Sequence, residues 1–115
     1  MIQLKRAYVV ASPDDGERYL VERLWPRGVK KEALQIKDWY KEIAPSAELR
    51  RWYGHDPAKW DEFQRRYRAE LDANPDGWQS LLHAVHAGTV TLVYGAKDTE
   101  RNSAAVLKAF LEARL

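Results

Sequence analysis

The stretch TVTLVY, residues 89–94, is the strongest indication of how this chain folds. Five of its six residues are β-branched or aromatic, which is typical of a buried strand. Residues 95–99 follow as a loop, and apolar residues spaced three and four apart predict a helix from about residue 100 to residue 114. The C-terminal part of the chain is therefore predicted to be a strand–loop–helix unit.

Two further strands are predicted nearer the N-terminus, at residues 2–10 and residues 19–25. The turn sequence Ser-Pro-Asp-Asp-Gly at residues 12–16 separates them and is compatible with a hairpin. A long helical block lies between the second strand and residues 89–94. Such crossovers join parallel strands, so these two strands are expected to be parallel.

The spacing of apolar residues predicts the helices of this block. Residues 31–43 show the i, i+3, i+4, i+7 pattern of one helix face, with Ile36, Trp39, Tyr40 and Ile43. A short helix is predicted after Ser46 as N-cap, and the clearest amphipathic helix follows the start signal Asp56-Pro57. A further helix is predicted to end at Gly88. The expected fold is α/β: a single compact domain over residues 1–115, with a small, partly parallel sheet of about three or four strands and several packed helices.

Composition narrows the classes of function. Lys plus Arg number 19 against 17 for Asp plus Glu, and this balance does not by itself indicate nucleic acid. The chain has no cysteine, which excludes disulfides, zinc–thiolate sites and thiol nucleophiles. His83 and His86 are three apart but have no evident third ligand, so no metal or cofactor is predicted. Neither a membrane span nor a signal-peptide core is evident, and a cytoplasmic protein without a membrane partner is expected.

A basic turn at residues 23–31 follows the second strand and is the main candidate for function. If the second strand and residues 89–94 are parallel neighbours, this turn and the loop at residues 95–99 lie at the same edge of the sheet. Open parallel sheets bind ligands there, and the next helix would direct N–H groups to the same place. The hypothesis is a pocket for a small anionic ligand, a phosphate or a carboxylate. The predicted ligand-binding residues are Arg23, Trp25, Arg27, Lys30, Tyr67, Tyr94, Lys97 and Asn102.

Five of these residues also have a structural interpretation. Arg23 and Arg27 can pair with Asp98, Glu22 or Asp38 and clamp the turn. Tyr67 and Tyr94 can be core residues with hydrogen-bonded hydroxyls, and Asn102 can cap the last helix. No catalytic residue is predicted, so the sequence leaves open whether the protein is an enzyme, and it also leaves the oligomeric state open.

Nucleic-acid binding is the alternative function, as a transcription-associated or DNA-binding protein. Arg50-Arg51 and Arg65-Arg66 lie on helices with interleaved aromatic residues. Acidic residues share those helices, however, and balanced charges at these spacings are typical of solvated ion pairs. Nucleic acid is therefore not the expected ligand.

Several motifs resemble the DUF488 family, in particular its short YeaO-like branch. They extend over nearly the whole chain and include Arg23-Leu24-Trp25-Pro26-Arg27-Gly28, Ile43-Ala44-Pro45-Ser46, His55-Asp56-Pro57, and Tyr94 with Lys97-Asp98. The resemblance implies a compact α/β domain and carries no established reaction. Longer members have cysteines in the loop at residues 95–102, where this chain has none, and Arg101 occupies a position that is often histidine. Thiol chemistry is therefore excluded here, and a metal-binding or general-base role at residue 101 is not expected.

Overall fold

A computed structural model describes residues 1–115. The strands are β1 (Ile2–Arg6), β2 (Glu17–Leu20), β3 (Asp38–Trp39) and β4 (Val90–Tyr94). They form one sheet in the order β1-β4-β2-β3, and every neighbouring pair is parallel. The predicted α/β class is confirmed, as is the parallel pairing of the second strand with β4.

The helices are α1 (Lys31–Leu34), α2 (Ala47–Tyr53), α3 (Trp60–Asp72), α4 (Pro75–Ala87) and α5 (Ser103–Glu112). Short 3-10 helices lie at Pro13–Asp15, Lys41–Ile43 and Pro57–Lys59. None of these helices combines the length and the apolar composition that a membrane span requires.

The hairpin with which the turn sequence is compatible does not form between the first two strands, because β4 lies between β1 and β2. The turn at residues 12–16 is a capped 3-10 helix, and its Asp15 side chain is buried. Asp15 pairs with Lys5 of β1 at 2.9 Å and with Arg18 of β2 at 2.7 Å. The carboxylate thus links two strands that are not neighbours, and the chain crosses from one side of β4 to the other. Both strands are also shorter than predicted.

The predicted helix over residues 31–43 is also wrong. Helix α1 has four residues and ends at Gln35, which has a left-handed φ of 50°. The chain then pairs with the free edge of β2, where Leu20 lies opposite Trp39. The aromatic and apolar residues that match a helix face instead serve an edge strand and a 3-10 helix, because pairing with β2 outweighs the local helical pattern.

The two faces of the sheet are covered differently. Helices α2 to α5 cover one face with a large apolar core that includes Tyr19, Leu92, Phe63, Tyr67, Leu107 and Phe110. The other face is covered by the segment around α1, whose small cluster consists of Ala7, Leu20, Leu34 and Val93, with Trp25, Val29, Ile36 and Trp39 against it. The chain therefore leaves β4 towards one face, into α5, and leaves β2 towards the opposite face.

Candidate functional site

A cleft of about 510 Å³ opens at the carboxyl ends of β2 and β4. Glu22 and Leu24 line it from the chain that follows β2, and Gly95 lines it from the chain that follows β4. The start of α5 and helix α2 supply two further walls. The cleft lies where the chain departs from adjacent parallel strands to opposite faces, which is the usual ligand site of open α/β sheets. The predicted edge of the sheet therefore does carry a cleft.

Glu22 is the only carboxylate in the lining. Its Oε1 accepts the N–H of Gly95 at 3.1 Å, and its main-chain oxygen accepts a hydrogen bond from Trp39 Nε1 at 2.6 Å. Burial raises the pKa of the Glu22 carboxyl, although the Gly95 N–H and the positive charges of Arg50 and His55 act in the opposite direction. The carboxylate is thus held at the junction of the two strands.

Three arginines line the same cleft: Arg50 and Arg51 from α2, and Arg101 from the loop before α5. Arg50 is half-buried, and its Nε is buried without a hydrogen-bond partner in the protein. Arg101 is exposed and lies 3.9 Å from a carboxylate oxygen of Asp98. The lining therefore carries more positive than negative charge.

Aromatic side chains form the apolar part of the cleft. Tyr53 is buried and stacks on Phe63 with ring centroids 4.5 Å apart. Burial raises the pKa of the Tyr53 hydroxyl, and the nearby negative charge of Asp98 adds to this. His55 lies at the rim in the left-handed region, with φ 58°. One wall of the cleft can therefore pack against a planar or apolar part of a ligand.

The start of α5 is fixed by Asn102, which is 3% exposed. Its Oδ1 accepts the N–H of Ala105 at 2.8 Å, and its Nδ2 donates to the main-chain oxygen of Asp98 at 3.0 Å. Asn102 therefore caps the helix, and it is also the one residue of the predicted set that lines the cleft. N–H groups at a helix start attract anions, so the cap places a favourable dipole at this wall.

Arg23, Tyr67 and Trp25 lie elsewhere. Arg23 and Tyr67 line a smaller cleft of about 190 Å³, where the Tyr67 hydroxyl donates to the main-chain oxygen of Ile43 at 2.7 Å. Arg23 lies 3.4 Å from the main-chain oxygen of Pro45, not beside the carboxylates that the clamp interpretation names. The indole of Trp25 donates to the oxygen of Val29 at 2.7 Å and so closes the turn. All three contacts join parts of the protein to one another.

The other predicted residues do not line either cleft. Arg27, Lys30 and Lys97 are exposed at the carboxyl edge of the sheet, and Tyr94 is buried in the main core. The residues that the sequence interpretation missed are Glu22, Arg50, Arg51, Tyr53, His55 and Arg101. Arg50 had a detectable signal, because it follows Leu49 and lies three positions before Tyr53, at the border of the apolar face of α2.

The fold and the cleft define an α/β protein with an open parallel sheet and a cationic cleft at its carboxyl edge. The chain belongs to the DUF488 family: the family described as "Inactive DUF488-N3 subclade" matches residues 1–115. The chain is 42% identical over 110 residues to the uncharacterised protein YeaO of Escherichia coli, with 96% of each chain covered. It is 39% identical over 113 residues to uncharacterised proteins of Mycobacterium tuberculosis and Mycobacterium bovis, which covers 98% of this chain and 95% of each relative. No solved structure matches the chain. The resemblance to the YeaO-like branch is thereby confirmed.

Proposed function

We propose that the protein binds a small anionic ligand, a phosphate or a carboxylate, in the cleft at the carboxyl ends of β2 and β4. The observation that carries the proposal is Arg50, a half-buried arginine of the cleft lining whose guanidinium forms no hydrogen bond or ion pair with the protein. A buried donor without a partner costs about 1–3 kcal/mol, more for a charged group. Because buried charged groups are almost always paired, an anionic ligand that binds the accessible nitrogens of this guanidinium would supply the missing partner.

The rest of the lining supports the same ligand. Arg51 and Arg101 add two guanidinium groups, whose planar donor arrays match the oxygens of carboxylates and phosphates. The start of α5 adds the favourable dipole of a helix N-terminus. A volume of about 510 Å³ is in the range of small-molecule sites.

The proposal is for binding without turnover, because the matching family is described as inactive. We also propose that the protein is cytoplasmic, as expected from its sequence. Nucleic acid is not the proposed ligand, because Arg65 and Arg66 both pair with Glu62 on α3 and are not left free for phosphates.

Isothermal titration calorimetry with inorganic phosphate, methyl phosphate, acetate and succinate tests the proposal. The wild-type protein should bind at least one of these anions, and binding should weaken as the salt concentration rises. Arg50→Met should weaken it about tenfold or more, because a charged hydrogen-bond donor is lost. Arg50→Lys should retain part of the affinity.

Arg68→Met is the matched control, because Arg68 is an exposed arginine on α3 outside the cleft. This variant should bind like the wild type. If no anion binds to the wild-type protein, or if both methionine variants bind equally well, the proposed function is wrong.

A further inference from the structure

Glu22 is an unexpected residue in a cleft for an anion, because its charge repels one. We propose that the ligand carries a protonated amine in addition to its anionic group, and that Glu22 accepts this amine. The inference rests on the proposed function and names the chemical class of its ligand: a small zwitterion such as an aminoalkyl phosphate or an amino acid.

The geometry leaves part of the carboxylate free for a ligand. Oε1 is occupied by the Gly95 N–H at 3.1 Å, which fixes the orientation of the group. Oε2 forms no hydrogen bond with the protein, and it is not among the buried atoms without a partner, so it keeps accessible surface on a residue that lines the cleft. A carboxylate held by one oxygen with the other oxygen open to the cleft is a ready acceptor for a ligand donor.

The charges around Glu22 do not neutralise it by direct contact. Arg50 of α2 and His55 after α2 both act on its carboxyl through space, yet no cation of the protein lies within 4.0 Å of it. Burial raises the pKa of the Tyr67 hydroxyl of α3, and the negative charges of Glu22 and Glu70 add to this. A partly buried carboxylate without an ion pair gains most from a cation that the ligand brings.

The two charged groups of such a ligand bind different residues of the lining. The anionic group pairs with Arg50, Arg51 and Arg101, and the amine pairs with Glu22. This division also explains how a cleft with three arginines can retain a carboxylate, since the two sets of charges serve different groups. Specificity follows, because an anion without an amine leaves Glu22 unpaired and repelled.

Calorimetry at pH 7.5 with 2-aminoethyl phosphate and ethyl phosphate separates the two roles. These probes share the phosphate ester, and only the first carries an amine. The wild-type protein should bind 2-aminoethyl phosphate about tenfold or more tightly than ethyl phosphate, as expected for one charged hydrogen bond. Glu22→Gln should bind both probes with similar affinity, whereas the exposed control Glu48→Gln should keep the wild-type preference.

A second measurement uses the wild-type protein alone and does not depend on a variant that folds. The preference for 2-aminoethyl phosphate should shrink as the pH falls through the pKa of Glu22, because the protonated carboxyl no longer attracts the amine. The ammonium group lowers the phosphate pKa of 2-aminoethyl phosphate relative to that of ethyl phosphate, so each affinity is corrected for the separately measured ionisation of its own probe before the ratio is taken.

The outcomes distinguish the two proposals. If neither probe binds to the wild-type protein, the proposed function fails and the inference fails with it. If both probes bind equally and Arg50→Met weakens both, the anion site stands and the amine site is overturned. A preference that persists in Glu22→Gln and does not change with pH also overturns the role of Glu22.

Discussion

Replacing Asp15 with asparagine should destabilise the protein strongly, because this carboxylate joins β1 to β2 across β4. Its Oδ2 accepts from Arg18 at 2.7 Å and from the Ser12 N–H at 3.0 Å, and its Oδ1 accepts from Lys5 at 2.9 Å. The side chains of Asp15 and Arg18 are 5% and 4% exposed. Asparagine keeps the shape of the side chain but removes the charge that compensates the buried guanidinium.

The magnitude follows from the burial of this pair. Breaking a buried ion pair by removing one partner costs about 3–5 kcal/mol, because the other charge is left uncompensated. Asparagine still accepts one hydrogen bond, so we expect a loss of about 3 kcal/mol in the free energy of unfolding. At about 2.1 cal/mol/K per residue for the entropy of unfolding, 115 residues convert this loss into a melting temperature lower by about 12 °C.

Urea unfolding at pH 7.5, followed by circular dichroism, measures the loss. Asp14→Asn is the control, because Asp14 is the exposed neighbour and should change stability by less than about 0.5 kcal/mol. Adding Arg18→Met to Asp15→Asn should recover part of the lost stability, because the buried charge is then removed. A loss below about 1 kcal/mol for Asp15→Asn would refute the reasoning.

The same carboxylate predicts how stability depends on pH. Burial raises the pKa of Asp15, but its hydrogen-bond donors and the charge of Lys5 outweigh burial, so the pKa is lowered in the folded protein. A group with a lowered folded pKa stabilises the protein above its unfolded pKa, and this contribution is lost as the pH falls through the folded value. The stability difference between wild type and Asp15→Asn should therefore shrink in acid.

Two further substitutions test the packing around the sheet. Gly16→Ala should cost about 3 kcal/mol or more, because Gly16 has φ 63° and a Cβ there would lie 2.2 Å from the main-chain oxygen of Thr89. Gly88→Ala, where a Cβ meets nothing within 4 Å, is its control in the same urea experiment, and equal losses would contradict the prediction. Tyr67→Phe should cost about 1–2 kcal/mol, because the main-chain oxygen of Ile43 loses a buried hydrogen bond. An unchanged unfolding midpoint for Tyr67→Phe would show that this hydrogen bond contributes nothing to stability.

The sequence predicted those parts of the fold that local patterns determine. Strand β4 and the amphipathic helix α3 both have strong periodicity and end signals, and both occur close to the predicted positions. The pairing of β1 with β4 joins residues far apart in the chain, and no local pattern of β1 distinguishes it from a hairpin with β2. Strand β3 has two residues, and its strand conformation comes from the edge of β2 and not from its own sequence.

The sequence predicted the position of the cleft but not most of the residues that line it, and the reason is geometric. Open parallel sheets bind ligands beyond the carboxyl ends of their strands, and this rule depends only on the order of strands and helices. The order alone therefore located the cleft beside Gly95. The side chains that reach the cleft depend on how α2 packs against the sheet, and this packing places Arg50 in the same cleft as Glu22. Lys97 lies three residues after the end of β4, yet it is exposed and does not line the cleft, because the chain has turned away from the sheet by this point. The buried apolar face of a helix fixes the direction of the side chains that flank it. Lysine and arginine residues at the border of such a face are therefore better candidates for lining a cleft than those in the turns after the strands.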